Sequence, residues 1–273
     1  MRRFQELLDT VVDWEWEYEP DIESAEDSAT ATIFVLPDEI DPDLTVGDIL
    51  DADPEDFGDQ SPVTDPDEID TDIDVHDPSS PVVRETPVYA AAFDVTIDTL
   101  RYPGPANTPD RMLVHVFFRT DIYVKGFEGQ SKEPVPKLVG YTLANINIGQ
   151  GAASKAFAGV VQVVEDFLKR VKEHDIEVDA VLFTGKGNRR ASLYSILTKR
   201  IARKSPNFEP FVLENISELL VAMKAKVDET VPVRERQSYI DAFWNSLKYL
   251  AETSLPSDLS SNDNIHLFAL LNM

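Results

Sequence analysis

A chain of 273 residues, 42% of them hydrophobic, can bury one good core and has room for a second small one. It contains no cysteine, which excludes disulfides, thiolate nucleophiles and cysteine zinc sites and suits a reducing cytoplasm. The formal charge of −25 sits in one place: residues 1–80 hold 27 acidic against 2 basic side chains, which leaves 23 of each for the rest of the chain. The acidity therefore belongs to one segment, and a polyanion such as nucleic acid is not expected as a direct partner. No run of about twenty apolar residues occurs, so no membrane span is expected. The acidic stretch from Phe4 to Trp16 does not read as a signal peptide.

In chain order, Arg3 to Val12 carries Phe4, Leu7, Leu8, Val11 and Val12 at helical spacing. Trp14, Trp16 and Tyr18 then alternate with Glu15, Glu17 and Glu19, a period of two that predicts an extended piece with one aromatic face. Thr30 to Leu36 (TATIFVL) is the first strand. Residues 37–85 are dense in Asp and Pro and poor in aromatics, and are expected to be irregular. Thr86 to Asp98, Arg111 to Val124 and Lys137 to Ile148 read as three long strands joined by turn-rich connections, hence an antiparallel meander. Gly149 to Ser154 (GQGAAS) is a small, flexible loop. Lys155 to His174 is a helix with Phe157, Val160, Val161, Val164, Phe167, Leu168 and Val171 on its apolar face. Val178 to Thr184 (VDAVLFT) is a buried strand, Ala191 to Lys204 a second helix and Phe208 to Leu213 another strand. Strand, loop, helix and returning strand make a βαβ unit with a parallel crossover. Ile216 to Val227 and Pro232 to Ala251 are amphipathic helices, the second with Tyr239, Phe243, Leu247 and Leu250 along one stripe. Ile265 to Leu271 (IHLFALL) is either a closing strand or a turn of helix.

The order of parts from Thr86 to Leu213, together with Asn188-Arg189-Arg190-Ala191-Ser192-Leu193-Tyr194 after the LFTGKG strand end, resembles the GNAT N-acetyltransferases. In that family a meander, a strand that splays from its neighbour, a pyrophosphate-binding loop, a helix and a strand precede a helix marked N-x-x-A-x-x-L-Y. The chain also resembles divergent GNAT-like proteins of tailed bacteriophages. The implied fold is α/β (α+β), a GNAT-like mixed sheet with an antiparallel meander and a βαβ core. The expected divisions are 1–36 (helix and first strand), 37–85 (acidic segment), 86–214 (GNAT-like core) and 215–273 (helical extension). An ordinary member has two helices where the acidic segment stands here.

The resemblance implies acetyl-CoA as cofactor. Its pantetheine arm would pair with backbone along Asn145, Ile146, Asn147 and Ile148. Its pyrophosphate would sit on the amides of Gly149, Gln150, Gly151, Ala152, Ala153 and Ser154, since free N–H groups at a helix start hold anions. The family pattern there is Q/R-x-x-G-x-G/A, and this loop has its glycines in another register. The same stretch also reads as a plain strand-to-helix turn with Ser154 as N-cap. Tyr194 matches the family's general acid, which protonates the departing thiolate, and equally reads as a core aromatic. Asn188 caps its helix and in the family also reaches the cofactor arm. A general base is not evident; Asp94, His115 and Asp121 on the earlier strands are the candidates. Lys186, Arg189, Arg190, Lys199, Arg200, Arg203 and Lys204 form a basic cluster that suits an anion or the chain's own acidic segment. Asp70, Asp72 and Asp74 lack the glycine and terminal glutamate of a Ca²⁺ loop, and no metal site is expected.

Two functions follow as expectations. One is transfer of an acetyl group from acetyl-CoA to an amine substrate. The other is a non-catalytic bacteriophage interaction protein or virion component that uses its acidic segment to bind a basic protein surface or to mimic DNA. Either belongs in a bacterial host cytoplasm or on a virion.

Overall fold

The computed structural model describes residues 12–35, 40–52, 57–58, 84–106, 108–127, 134–142, 152–186, 188–205, 207–213, 216–253 and 265–272. The predicted helix from Arg3 to Val12 falls almost wholly outside them. In order the elements are β1 (Trp14–Tyr18), β2 (Glu26–Val35), α1 (Val46–Ala52), β3 (Phe57–Gly58), β4 (Val88–Tyr102), β5 (Arg111–Phe127), β6 (Pro134–Thr142), α2 (Ala152–Glu173), β7 (Glu177–Lys186), α3 (Asn188–Lys204), β8 (Phe208–Leu213), α4 (Ile216–Thr230), α5 (Val233–Thr253) and β9 (Ile265–Asn272). This is a mixed α/β architecture built on a mostly antiparallel sheet. The run IHLFALL, ambiguous in sequence, is a strand.

The chain gathers into two compact units. The first comprises residues 1–15, 32–95 and 118–160, and the second residues 16–31, 96–117 and 161–273. The long elements β2, β4, β5 and α2 contribute to both.

In the first unit, β5 pairs antiparallel with β6 from Thr120 to Phe127, and β6 pairs with the two-residue β3. Part of the acidic segment is ordered here, against the expectation of an irregular tract. The reason is local. Thr45 and Asp48 make a reciprocal cap: the Thr45 amide and hydroxyl both donate to Asp48 Oδ2, at 2.9 and 2.7 Å, and the Asp48 amide donates back to Thr45 Oγ1 at 3.3 Å. Those bonds hold the exposed Asp48 carboxyl below the usual carboxylate range. Val46 and Ile49 of α1 are buried, and the Val46 amide donates to Thr86 O at 3.0 Å.

In the second unit, β5 runs parallel to β7 from Arg111 to Val116, and β9 lies antiparallel between β7 and β8. Alternate residues of β7 face opposite sides. Leu182 joins a core with Leu219, Met223 and Val227 of α4 and Tyr239, Phe243, Leu247 and Leu250 of α5. Phe183 packs instead against Tyr194 of α3. Helix α2 ends without glycine. Asp175 takes the left-handed conformation (φ 56°) at the position after the cap. The Ile176 amide reaches back to Val171 O and the Asp175 amide to Lys172 O, a Schellman closure that satisfies two orphan carbonyls.

Within the first unit, Gly159 of α2 sits on Ile33. A Cβ there would lie 2.5, 2.8 and 3.1 Å from three Ile33 side-chain carbons. Gly159→Ala should therefore destabilise by about 1–3 kcal/mol, despite alanine's better helix propensity. Combining it with Ile33→Ala should cost less than the two changes summed, by about 0.5 kcal/mol or more in urea unfolding. Additive costs would show that the two residues do not collide.

Candidate functional site

Most of the sequence-predicted cofactor residues cannot be placed relative to one another. Asn145, Ile146, Asn147, Ile148, Gly149, Gln150 and Gly151 lie outside the described residues. Ala152, which is buried, starts α2, with Ala153 and Ser154 in its first turn. Asn188 opens α3. Tyr194 lies one and a half turns into α3 and is 2% exposed. Its ring stacks on Phe268 at 5.6 Å between centroids and tilts against Phe183 at 6.1 Å. These contacts match the core-aromatic role: the ring seals α3 onto β7 and β9.

The candidate bases are engaged in structural pairs. In the first unit, buried Asp94 accepts from the Thr32 hydroxyl at 2.8 Å and from Arg119 Nη2 at 3.1 Å. The same guanidinium holds Asp121 Oδ1 at 3.1 Å from Nε. One arginine thus serves two buried carboxylates. In the second unit, His115 is fully buried, stacked on Phe117, with Nδ1 3.9 Å from Asp98 Oδ2. Ser28 Oγ donates to the other Asp98 oxygen at 2.7 Å. The carboxylate stands between hydroxyl and imidazole. Activating a serine requires the imidazole in the middle, so this trio is not a nucleophile relay. Asp98 and Ser28 line an open cleft of about 310 Å³ with Glu26, Asp27, Leu100 and Tyr249.

Among the described residues, one organised polar site is not expected from the sequence. Asp179 of β7 is 0% exposed and accepts the phenol hydroxyls of both Tyr102 (β4) and Tyr239 (α5). Its other oxygen lies 3.3 Å from Lys226 Nζ (α4) and 3.5 Å from Arg111 Nη1 (β5). Arg111 also pairs with Glu177, and its guanidinium carbon stands 5.7 Å from the Tyr239 ring centre. Two carboxylates meet two cations, so the site is neutral as a set. A bulge aims the carboxylate: Met112 is opposite Val178 but Leu113 is opposite Ala180, which makes Asp179 the extra residue of β7. The signal for it in the sequence is a lone acid inside VDAVLFT, a run that reads simply as a buried strand.

Burial, then the Asp179 charge, push the Tyr102 phenol well above its ordinary pKa, and the same two causes raise Tyr239. Such an arrangement positions charge: Asp179 and both phenols are buried and engaged with each other, while the Glu177 side chain stays 45% exposed.

Comparison with protein-family models, curated proteins and solved structures finds no match for this chain.

A group whose folded pKa is raised stabilises the fold below its unfolded pKa, and that contribution is lost as pH rises through the folded value. Of the eight tyrosines, Tyr102 and Tyr239 should stay un-ionised in the folded protein when absorbance at 295 nm is followed upward from pH 9. Stability should fall above about pH 10, where unfolded phenols begin to ionise. Reversible ionisation of all eight near the ordinary value, with the fold intact, would contradict the buried assignment.

Proposed function

We propose that this chain is a recognition protein on a GNAT-like scaffold and that its acidic N-terminal segment binds a basic surface of a partner protein. The observation that carries this reading is where the charge stands. Residues 1–80 hold the whole net charge, and the described acids Asp13, Glu15, Glu17, Glu19, Asp21, Glu23, Glu26, Asp41, Asp43 and Asp48 are exposed, while Asp27 is half-buried. A dense set of solvated carboxylates steers a cationic partner and gains little from burial, so affinity should come from charge and weaken with salt. The pairing of Asp94 and Asp121 with Arg119, and the enclosure of Tyr194 by Phe183 and Phe268, favour this reading over chemistry at those residues.

Because Val46 and Ile49 are core residues, excising residues 37–81 would damage the fold, and neutralising charge is the cleaner test. A lysine-rich peptide should bind the intact protein at about 0.1 M salt. It should lose at least about 100-fold in affinity towards 1 M, where the Debye length falls to about 3 Å. Changing Asp65, Asp67, Asp70, Asp72 and Asp74 to Asn and Glu68 to Gln should weaken binding about tenfold or more without lowering Tm. Salt-insensitive binding, or full affinity in the neutralised variant, would overturn the reading.

One observation favours acetyl transfer as a second reading. β7 runs into α3 with Asn188 at its first position and Tyr194 further along, the order that the resemblance implies. In that reading the chain binds acetyl-CoA, and Tyr194 protonates the thiolate. Calorimetry with acetyl-CoA should then give a binding heat that Gly151→Glu abolishes. Absence of heat with the intact protein would remove the enzyme reading.

A further inference from the structure

We infer that helices α4 and α5 form a strap that opens from the second unit's sheet as one cooperative piece, with Asp179 as the pin that sets its register. The strap leaves the sheet after β8 and returns at β9, and these two strands are hydrogen-bonded to each other from Phe208 to Leu213. Strand order therefore does not depend on the helices. Beneath the strap the sheet offers mostly small or aliphatic side chains: Leu113, Ala180, Leu182, Ala269 and Leu271. Burial against such a surface is favourable but has no direction, so a helix pair could sit on it in several registers.

Asp179 removes that freedom. It takes one donor from each helix, Lys226 of α4 and Tyr239 of α5, and two from the sheet, Tyr102 and Arg111. Sliding either helix by a turn would leave a buried carboxylate short of partners, a loss larger than the net worth of the bonds themselves. The two helices are also tied to each other near their turn: Arg236 reaches Asp228 at 3.0 Å and Val231 O at 2.9 Å. They should move together. Two further polar fastenings are exposed: Glu235 accepts from the Ala106 amide at 3.0 Å, and the Tyr249 hydroxyl donates to Glu26 at 2.8 Å. Fastenings in water are worth much less than the pin.

Native-state hydrogen exchange on the intact chain tests this. The buried amides of α4 and α5 should exchange at one common rate, at least about tenfold faster than those of α3. Asp179→Asn should speed both helices by about 100-fold while leaving α3 within about threefold. Tyr239→Phe keeps the ring and removes one donor. It should speed both helices by a smaller factor, and it serves if the asparagine variant does not fold. Tyr249→Phe should change neither helix beyond about threefold. Separate rates for α4 and α5, exchange of both at the α3 rate, or acceleration of α3 along with the strap in the Tyr239→Phe variant would each overturn the inference.

Discussion

The constraint on which the second unit turns is one carboxylate fully buried from solvent. Moving an ion into a protein interior costs several kcal/mol, and attraction to a partner offsets this only when the remaining lone pairs are also satisfied. Asp179 meets that demand with two phenols, a guanidinium and an ammonium drawn from β4, β5, α4 and α5. Each donor is itself placed by packing: Tyr102 stacks near Tyr239 and edge-on to Phe243, and Arg111 is held by Glu177. A well-packed apolar cluster could stabilise the unit as much. What the ionic set contributes is geometry, because only one placement of the helices satisfies all its members.

The first unit follows the same rule with fewer parts. Asp94 and Asp121 share Arg119, and Thr32 supplies the extra donor that Asp94 needs. Residues that sequence alone offers as general bases are thus the residues that hold neighbouring strands in register. A carboxylate on a sheet has the same composition whether it waits for a proton or braces a strand. The difference lies in which cation stands beside it, and one-dimensional spacing does not carry that.

Periodicity was a good guide wherever a face is buried. The stripe from Phe157 to Val171 is the buried face of α2, and the stripe from Tyr239 to Leu250 is that of α5. Three features escaped it for definite reasons. The bulge at Asp179 breaks the alternation of β7, so a reading with period two cannot say which way the acid points. The helix Val46–Ala52 is short and lies in a tract whose composition argues against order; its signal was the local pair Thr45 and Asp48, not hydrophobicity. The run Ile265 to Leu271 is too short and uniformly apolar for either period to show, and only its pairing with β7 and β8 makes it a strand. Tyr194 shows a further limit: its place in N-R-R-A-S-L-Y fits a catalytic acid and a core ring equally, and its neighbours Phe183 and Phe268 come from distant parts of the sequence.

The distribution of ion pairs bears on what the acidic segment is for. Arg101, Arg111, Arg119, Lys204 and Arg236 take their carboxylates from Asp110, Glu177, Asp94, Glu165 and Asp228, all beyond residue 90. Glu19 reaches Arg170, an exposed contact of low energetic weight. These five cations, among the described residues, are thus paired within the balanced part of the chain rather than with the first 80 residues. Packing so many like charges together costs self-repulsion, and a fold that needed them only for solubility could spread them over its surface. Concentrated on one segment, they make a field that a cationic partner would relieve. That relief is a binding free energy, and it requires neither an open catalytic pocket nor a free Tyr194.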